Sequence, residues 1–448
     1  MAMDRRDTFK LAGVAAAAAA LPTMTLAEEK AAASKTTGKS VVIIGAGFGG
    51  LTMAKALRKL DKDTNVTVIE KRAMHMACPL SNGLLGGLDD MSLSMFVGDY
   101  GQPAMKHGYN FVNSEVTSID RKAKEVHTTT AGAVGYDILV LSPGIAYDYE
   151  KQFPTWSKEK IAHVAQACPA ALMPGNEHVA LKKQLENMDD GNVIIVPPAS
   201  GKFRCPPAPY ERTAMVANYL KKEGIKGKVI VLDSRPGKFA KAKAFKESWS
   251  ETFADFIDYR GESIITDIDP VAKTITYEGA DEKSHTEKYE VCSFMPINKC
   301  SPVIAMAGIE HNGAGYAMMD GYSFKSKTDA NVYVIGDAVT HKIPPSGQTA
   351  IWGAHRAAKQ IVAQLNGKVE DPKGGLPAKA ANVCFSMVNG APEEAIMVTH
   401  TFSADESGVL KGKGNVPKPK DGNGKFRSTG TAKATREWFA GVMREMFA

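Results

Sequence analysis

Between residues 41 and 60 the chain reads VVIIGAGFGGLTMAKALRKL: an apolar run, glycines at Gly45, Gly47 and Gly50, then a helical pattern. Each glycine has a separate reason. Gly45 permits a tight turn out of the strand, and Gly47 lets a pyrophosphate approach the backbone. Gly50 lets helix and strand pack closely, with the helix N-terminus facing the phosphates. A second strand, VTVIE at 66–70, ends in Glu70, twenty residues beyond Gly50. A carboxylate there accepts hydrogen bonds from a ribose diol and disfavours a 2′-phosphate. Strand, turn, helix and acidic residue together predict a dinucleotide-binding unit.

The whole chain, of 448 residues, has room for two or three domains. Its 44% hydrophobic and 23% charged residues suit a folded protein. A net charge of +6 from 55 basic and 49 acidic residues is too thin to support nucleic-acid binding. Six cysteines are too sparse for a disulfide framework. Apolar runs at 136–144, 191–198, 228–234 and 331–338 read as strands, and helical patterns cover 177–188, 208–223 and 347–366. Residues 263–290 read as hairpin-like, 404–434 as loop, and 435–447 as a closing helix. Alternating strands and helices imply an α/β fold with two Rossmann-like units, one interrupting the other. The expected division is 28–165 with 291–370, then 166–290, then a C-terminal domain at 371–448.

The N-terminus carries Arg5 and Arg6 before an Ala-rich apolar run from Leu11 to Leu21. That run is about half the length that spans a bilayer. It resembles a twin-arginine export signal over 1–27, implying a periplasmic protein that folds around its cofactor before export. The histidines show no ligand spacing, and no metal site is expected.

Asp337, at the end of the strand NVYVIGDA, distinguishes FAD from NAD. In flavoproteins with two dinucleotide domains, an Asp at such a strand end holds the ribityl chain of FAD. The helix that follows then aims its N-terminus at the flavin. The second unit lacks a glycine loop: GNVIIV runs into PPASGKFRCPPAPYE. Proline has no N–H to offer a second pyrophosphate, so NAD(P)H is not expected as a partner.

CPLSNGLLGG (78–87), RCPPAPYER (204–212), NVYVIGDA (331–338), NVCFS (382–386) and the aromatic terminal helix resemble one family. It is the flavoprotein subunit of flavocytochrome c sulfide dehydrogenase, related to sulfide:quinone reductases and, more distantly, to glutathione-reductase-type enzymes. The resemblance runs over about 38–448. It implies an FAD-dependent oxidation of sulfide or a related small sulfur compound, with electrons passed to a c-type cytochrome subunit. It also implies FAD joined covalently to Cys78, and a redox-active Cys205 beside the flavin. Gly45, Ala46, Gly47, Phe48, Gly49, Gly50, Glu70, Lys71, Val116, Gly336 and Asp337 complete the implied cofactor site.

Two positions depart from the family pattern. Ala317, in GYAMMD, stands where the resemblance implies the partner cysteine of Cys205. Cys300 in MPINKCSPV then takes that place, or Cys168, or no disulfide forms; Cys292 and Cys384 read as core thiols. Pro345 stands where the family has a lysine, leaving the helix dipole or Lys342 to favour a reduced flavin. These departures keep open a diverged subunit that relays electrons without oxidising sulfide. A sulfide:quinone reductase-like enzyme on the membrane surface is the other alternative. No Cys-x-x-Cys-His is present, so haem is expected on a partner. The basic loop 411–427 suits an acidic docking surface, although a solvated loop is the simpler reading. The terminal helix is expected to pack on the body rather than enter a membrane.

Overall fold

The computed structural model describes residues 39–448 other than 174, 370 and 372; the export signal expected over 1–27 lies outside the described residues. The first sheet has five parallel strands, ordered Val332–Val334, Ile138–Leu141, Ser40–Ile44, Asn65–Glu70 and Asn110–Asn113. All five residues of Ser40–Ile44 are buried, as befits a strand covered on both faces. One covering layer is the helix Phe48–Leu60 packed against the helix Gly347–Leu365. The latter starts at Ser346, whose hydroxyl accepts from the Thr349 amide.

The chain leaves this sheet after Leu141 and builds a second parallel sheet. Its order is Ile257–Arg260, Val229–Leu232, Val193–Val196, Val291–Phe294. The last strand pairs with Val193–Val196, so the return to the first unit falls later than the expected boundary at 291. Three antiparallel strands between Ile264 and Lys288 replace the expected hairpin. The C-terminal region is more regular than its Gly, Lys and Pro content suggested. Two long strands, Ala378–Gly390 and Glu393–Ala404, form an antiparallel pair extended by Leu410–Asn415 and Arg427–Ser428. Cross-strand pairing, rather than local propensity, sets those strands. The terminal helix Thr429–Phe447 begins before the expected residue 435, capped by Ser428. Its apolar face packs on the body, with Phe439, Val442 and Met446 buried. Among the described residues no helix is long and apolar enough to cross a membrane.

The glycine turn is as tight as its spacing requires. Gly45 has φ +101°, and a Cβ at Gly50 would lie 1.8 Å from the Gly45 carbonyl oxygen. Gly50→Ala must therefore push helix from strand. We expect a loss of about 3 kcal/mol, measured as a lower thermal midpoint together with reduced cofactor content in the purified protein.

Candidate active site

At the C-terminal ends of the first sheet lies an open cleft of about 710 Å³, counted with the solvent space at its mouth, where ligands of such sheets bind. Ala46, Gly47, Phe48 and Gly49 form one wall, and Gly336 and Asp337 another. A Cβ at Gly47 would meet nothing within 4 Å, so the backbone there is open to a pyrophosphate. Glu70 is 9% exposed, and its Oε2 accepts from the Ala46 amide at 3.0 Å. The same carboxylate thus holds the turn and faces the cleft. An adjoining hollow is lined by Gly45, Glu70, Lys71 and Val116. Glycine turn, acidic strand end, Asp337 and the helix N-terminus at Gly347 form a donor and acceptor set that fits FAD. His75, read from the sequence as a surface or core residue, is buried in the cleft wall. Burial pushes its imidazole down to about 3, which keeps it neutral.

A second cavity, of about 620 Å³, shares Arg204, Ser346 and Gly347 with the first. Cys78, Cys205 and Cys384 all line it, together with Glu211 and Trp438. Cys205 sits in the left-handed region at φ +51°, a conformation that costs a non-glycine residue about 1 kcal/mol or more. Its amide donates to the Pro345 carbonyl at 2.9 Å, and its own carbonyl accepts from Ala208 at 2.8 Å. Pro206 and Pro207 then lead directly into the helix Ala208–Glu223. The loop that would carry a phosphate cradle in a second nucleotide unit instead carries this thiol to the second cavity.

Of the thiols considered as partners for Cys205, neither Cys300 nor Cys168 lines a cavity with it. Cys300 turns toward the Gly144 and Ala338 carbonyls, at 3.7 and 3.8 Å. Ala317 also belongs to that region, its amide donating to Ala338 at 2.8 Å. Cys168 hydrogen-bonds Cys292 and Tyr289 in the core of the second unit. Cys384 is the thiol beside Cys205: both line the second cavity and also a third, outer one of about 820 Å³. Reading Cys384 as a core thiol missed this, because its strand reaches Cys205 only through the C-terminal hairpin. All six cysteines are free thiols. Burial pushes Cys205 well above the usual thiol range, reinforced by Cys78 and Cys384 and opposed by Lys241.

Glu211 and Arg212 were quoted in the sequence motif without a role. Asn82 joins them: its Nδ2 donates to Glu211 Oε2 at 2.9 Å, and its Oδ1 accepts from Arg212 Nε at 3.1 Å. Glu211 Oε1 accepts from the Met387 amide at 2.7 Å. Arg212 also donates to the Ala170 and Ala171 carbonyls and to Ser293. The loop of Cys78, the helix after Cys205 and the strand of Cys384 are thereby tied together.

The basic loop is less free than its composition suggested. Arg427 is buried against Glu247, Glu251 and Glu394. Lys411 pairs with Asp405 and Lys425 with Glu251, leaving Lys413, Lys418 and Lys420 as exposed charges without ion pairs. Lys342 is exposed and does not line the cleft.

Burial holds the Glu211 carboxyl above the ordinary carboxylate range, against opposing hydrogen bonds from Asn82 and Met387. The folded state therefore keeps a proton that the unfolded state releases near its ordinary value of 4.5. Wild-type stability should fall as pH rises from that value through the raised folded one. Glu211→Gln should lack this slope, which chemical denaturation across that pH window measures.

Two family descriptions match the chain. "Sulfide dehydrogenase (flavocytochrome c) flavoprotein chain, central" covers residues 178–296, and "Pyridine nucleotide-disulphide oxidoreductase" covers 39–165. The sulfide dehydrogenase flavoprotein chain of Chlorobaculum thiosulfatiphilum is 48% identical over 46 residues, 10% of this chain and 96% of that sequence. The sulfide-quinone reductase of Aquifex aeolicus is 28% identical over 332 residues, 70% of this chain and 71% of that protein. The solved structure of the sulfide:quinone oxidoreductase from that bacterium superposes with a TM-score of 0.68 at 20% identity, covering 91% of each chain. That likeness establishes the shared α/β architecture of two Rossmann-type units. The chain is thus similar, over separate segments, to the flavocytochrome c sulfide dehydrogenase flavoprotein chains and to the sulfide:quinone reductases.

Proposed function

We propose that the protein is a periplasmic sulfide dehydrogenase flavoprotein that oxidises sulfide, or a related small sulfur compound, and delivers electrons to a c-type cytochrome subunit. The observation that carries this reading is the convergence of Cys78, Cys205 and Cys384 on one cavity continuous with a dinucleotide cleft. The glycine turn and the helix at Phe48 hold the FAD pyrophosphate, Glu70 the adenosine ribose, and Asp337 the ribityl chain. Cys78 is the point of thioether attachment; burial pushes its thiol up, and the Arg204 charge beside it is the largest opposing influence.

Bound FAD supplies a two-electron acceptor. The protein residues perform the sulfur chemistry. Hydrosulfide attacks one sulfur of a Cys205–Cys384 disulfide; a new S–S bond forms, the cysteine–cysteine bond breaks, and the other cysteine leaves as thiolate. Glu211, whose carboxyl burial holds above the ordinary carboxylate range, lines the same cavity as these thiols and serves as a proton store. Cys205→Ser and Cys384→Ser each remove one half of the disulfide. The second unit contributes a thiol-bearing loop instead of a phosphate cradle, which supports electron exchange without NAD(P)H.

The 28% identity to a sulfide-quinone reductase supports a second reading, in which the acceptor is a quinone. The buried apolar face of the terminal helix and the exposed Lys413, Lys418 and Lys420 favour a protein acceptor.

Anaerobic sulfide should bleach the flavin of the purified protein, while NADH should not. Cys205→Ser and Cys384→Ser should each slow bleaching by roughly 10³-fold or more. Unchanged absorbance with sulfide, alongside bleaching by another donor, overturns sulfide oxidation and leaves a diverged electron relay. Reoxidation by cytochrome c rather than by a quinone analogue separates the two acceptors. Flavin should remain on the denatured wild-type chain and leave denatured Cys78→Ala.

A further inference from the structure

Lys241 is a lysine at 8% exposure, a rare condition for an ammonium without a carboxylate partner. Its Nζ donates to the Cys384 carbonyl at 3.1 Å and to Ser386 Oγ at 2.9 Å. Among the described residues it forms no salt bridge. Both recorded partners are neutral. A buried cation satisfied by hydrogen bonds alone retains much of its desolvation cost, and an anion beside it offsets that cost. The backbone is also unusual here. Lys241 has φ +60°, a left-handed conformation held at the entry to the helix Ala242–Thr252. A lysine elsewhere on that surface would reach water without strain.

The ammonium lines the outer cavity, whose walls include Cys205 and Cys384 and the apolar Pro206, Pro344 and Val398. The inner cavity, lined by the same two cysteines, shares Arg204, Ser346 and Gly347 with the cofactor cleft. The cysteine pair thus lines both the space that meets the cofactor cleft and the space that meets Lys241. The remaining groups around Cys384 supply no competing cation on the outer side. His400, across the hairpin, accepts from Asn382 and is held neutral by burial and by Lys241. Glu211, on the neighbouring helix, carries its proton to raised pH. Arg204 is directed to Asp337 and Cys78. Cys205 and Cys78 complete the set. The Cys384 thiol donates to the Phe385 carbonyl at 3.7 Å. Burial raises its pKa, and the nearby Lys241 charge is the largest opposing influence.

We propose that Lys241 is the anion-attracting and thiolate-positioning residue of this site, drawing small anionic sulfur donors into the outer cavity and holding negative charge on Cys384. This deepens, and rests on, the reading of Cys205 and Cys384 as the sulfur-reactive pair. It also gives the reaction a direction, with the donor arriving from the outer cavity and electrons leaving through the inner one.

Site-resolved iodoacetamide alkylation of the reduced flavoprotein across pH tests the charge. Lys241→Met should slow Cys384 alkylation by about tenfold at a given pH, equivalent to a one-unit upward shift of its midpoint. It should also raise the KM for sulfide in flavin bleaching by about tenfold. Lys241→Arg should restore both. Lys241→Gln keeps a donor for the Cys384 carbonyl and Ser386 without the charge, so it gives the same reading should Lys241→Met fold poorly. An unchanged alkylation midpoint and an unchanged KM in the folded charge-free variants overturn the proposal. A shifted midpoint supports it even where sulfide leaves the wild-type flavin oxidised, a result that overturns the sulfide reading alone.

Discussion

The site depends on one buried polar network, Asn82 with Glu211 and Arg212. Arg212 is 1% exposed and Glu211 is 6% exposed. Polar groups this deep are tolerated only when their hydrogen-bonding capacity is used, and leaving one of them unpaired commonly costs about 1–3 kcal/mol. Here that capacity is distributed over segments far apart in the chain. Asn82 belongs to the loop of Cys78, Met387 to the strand of Cys384, and Ala170 and Ala171 to the crossing between the two units. Any movement of one cysteine-bearing segment relative to the others would leave a buried donor or acceptor unpaired. The network therefore acts as a positional lock on the three thiols.

That lock explains an otherwise costly loop. Cys205 adopts positive φ, and its surroundings hold it there by an amide bond to Pro345 and a carbonyl bond from Ala208. The bond to position 345 uses only a backbone carbonyl, so it does not depend on which side chain stands there. Strain stored at a reactive residue, and maintained by surroundings that fix it several times over, is a common property of active sites. The loop also explains the second Rossmann unit. Its sheet is retained as a rigid support, while the segment that would grip a phosphate presents a sulfur.

Much of the cofactor cleft was legible in the sequence, because its determinants are local. A glycine that must accept φ +101°, another with no room for a Cβ, and a carboxylate at a strand end are encoded within about thirty residues. Asp337 was legible for the same reason, as a polar residue ending an apolar run. The C-terminal strands were not, since Lys- and Gly-rich segments form strands there only by pairing with Glu393–Ala404. Glu211 and Arg212 lay in plain view in RCPPAPYER. Their burial, and hence their role, depends on what the second unit and the hairpin place over them.

The sequence by itself determined a flavoprotein-type dinucleotide cleft and a cysteine carried on a proline-rich loop, because turn geometry and side-chain periodicity act over short stretches. Only the tertiary structure decided which thiols share a cavity with Cys205. Cys300, Cys168 and Cys384 are equivalent as letters, and each is far from position 205 in the chain. Cys384 reaches the cavities that Cys205 lines because the antiparallel hairpin lays its strand against the helix Ala208–Glu223, where Glu211 takes the Met387 amide. Packing over such a separation has no local signature, so no spacing rule could have supplied it.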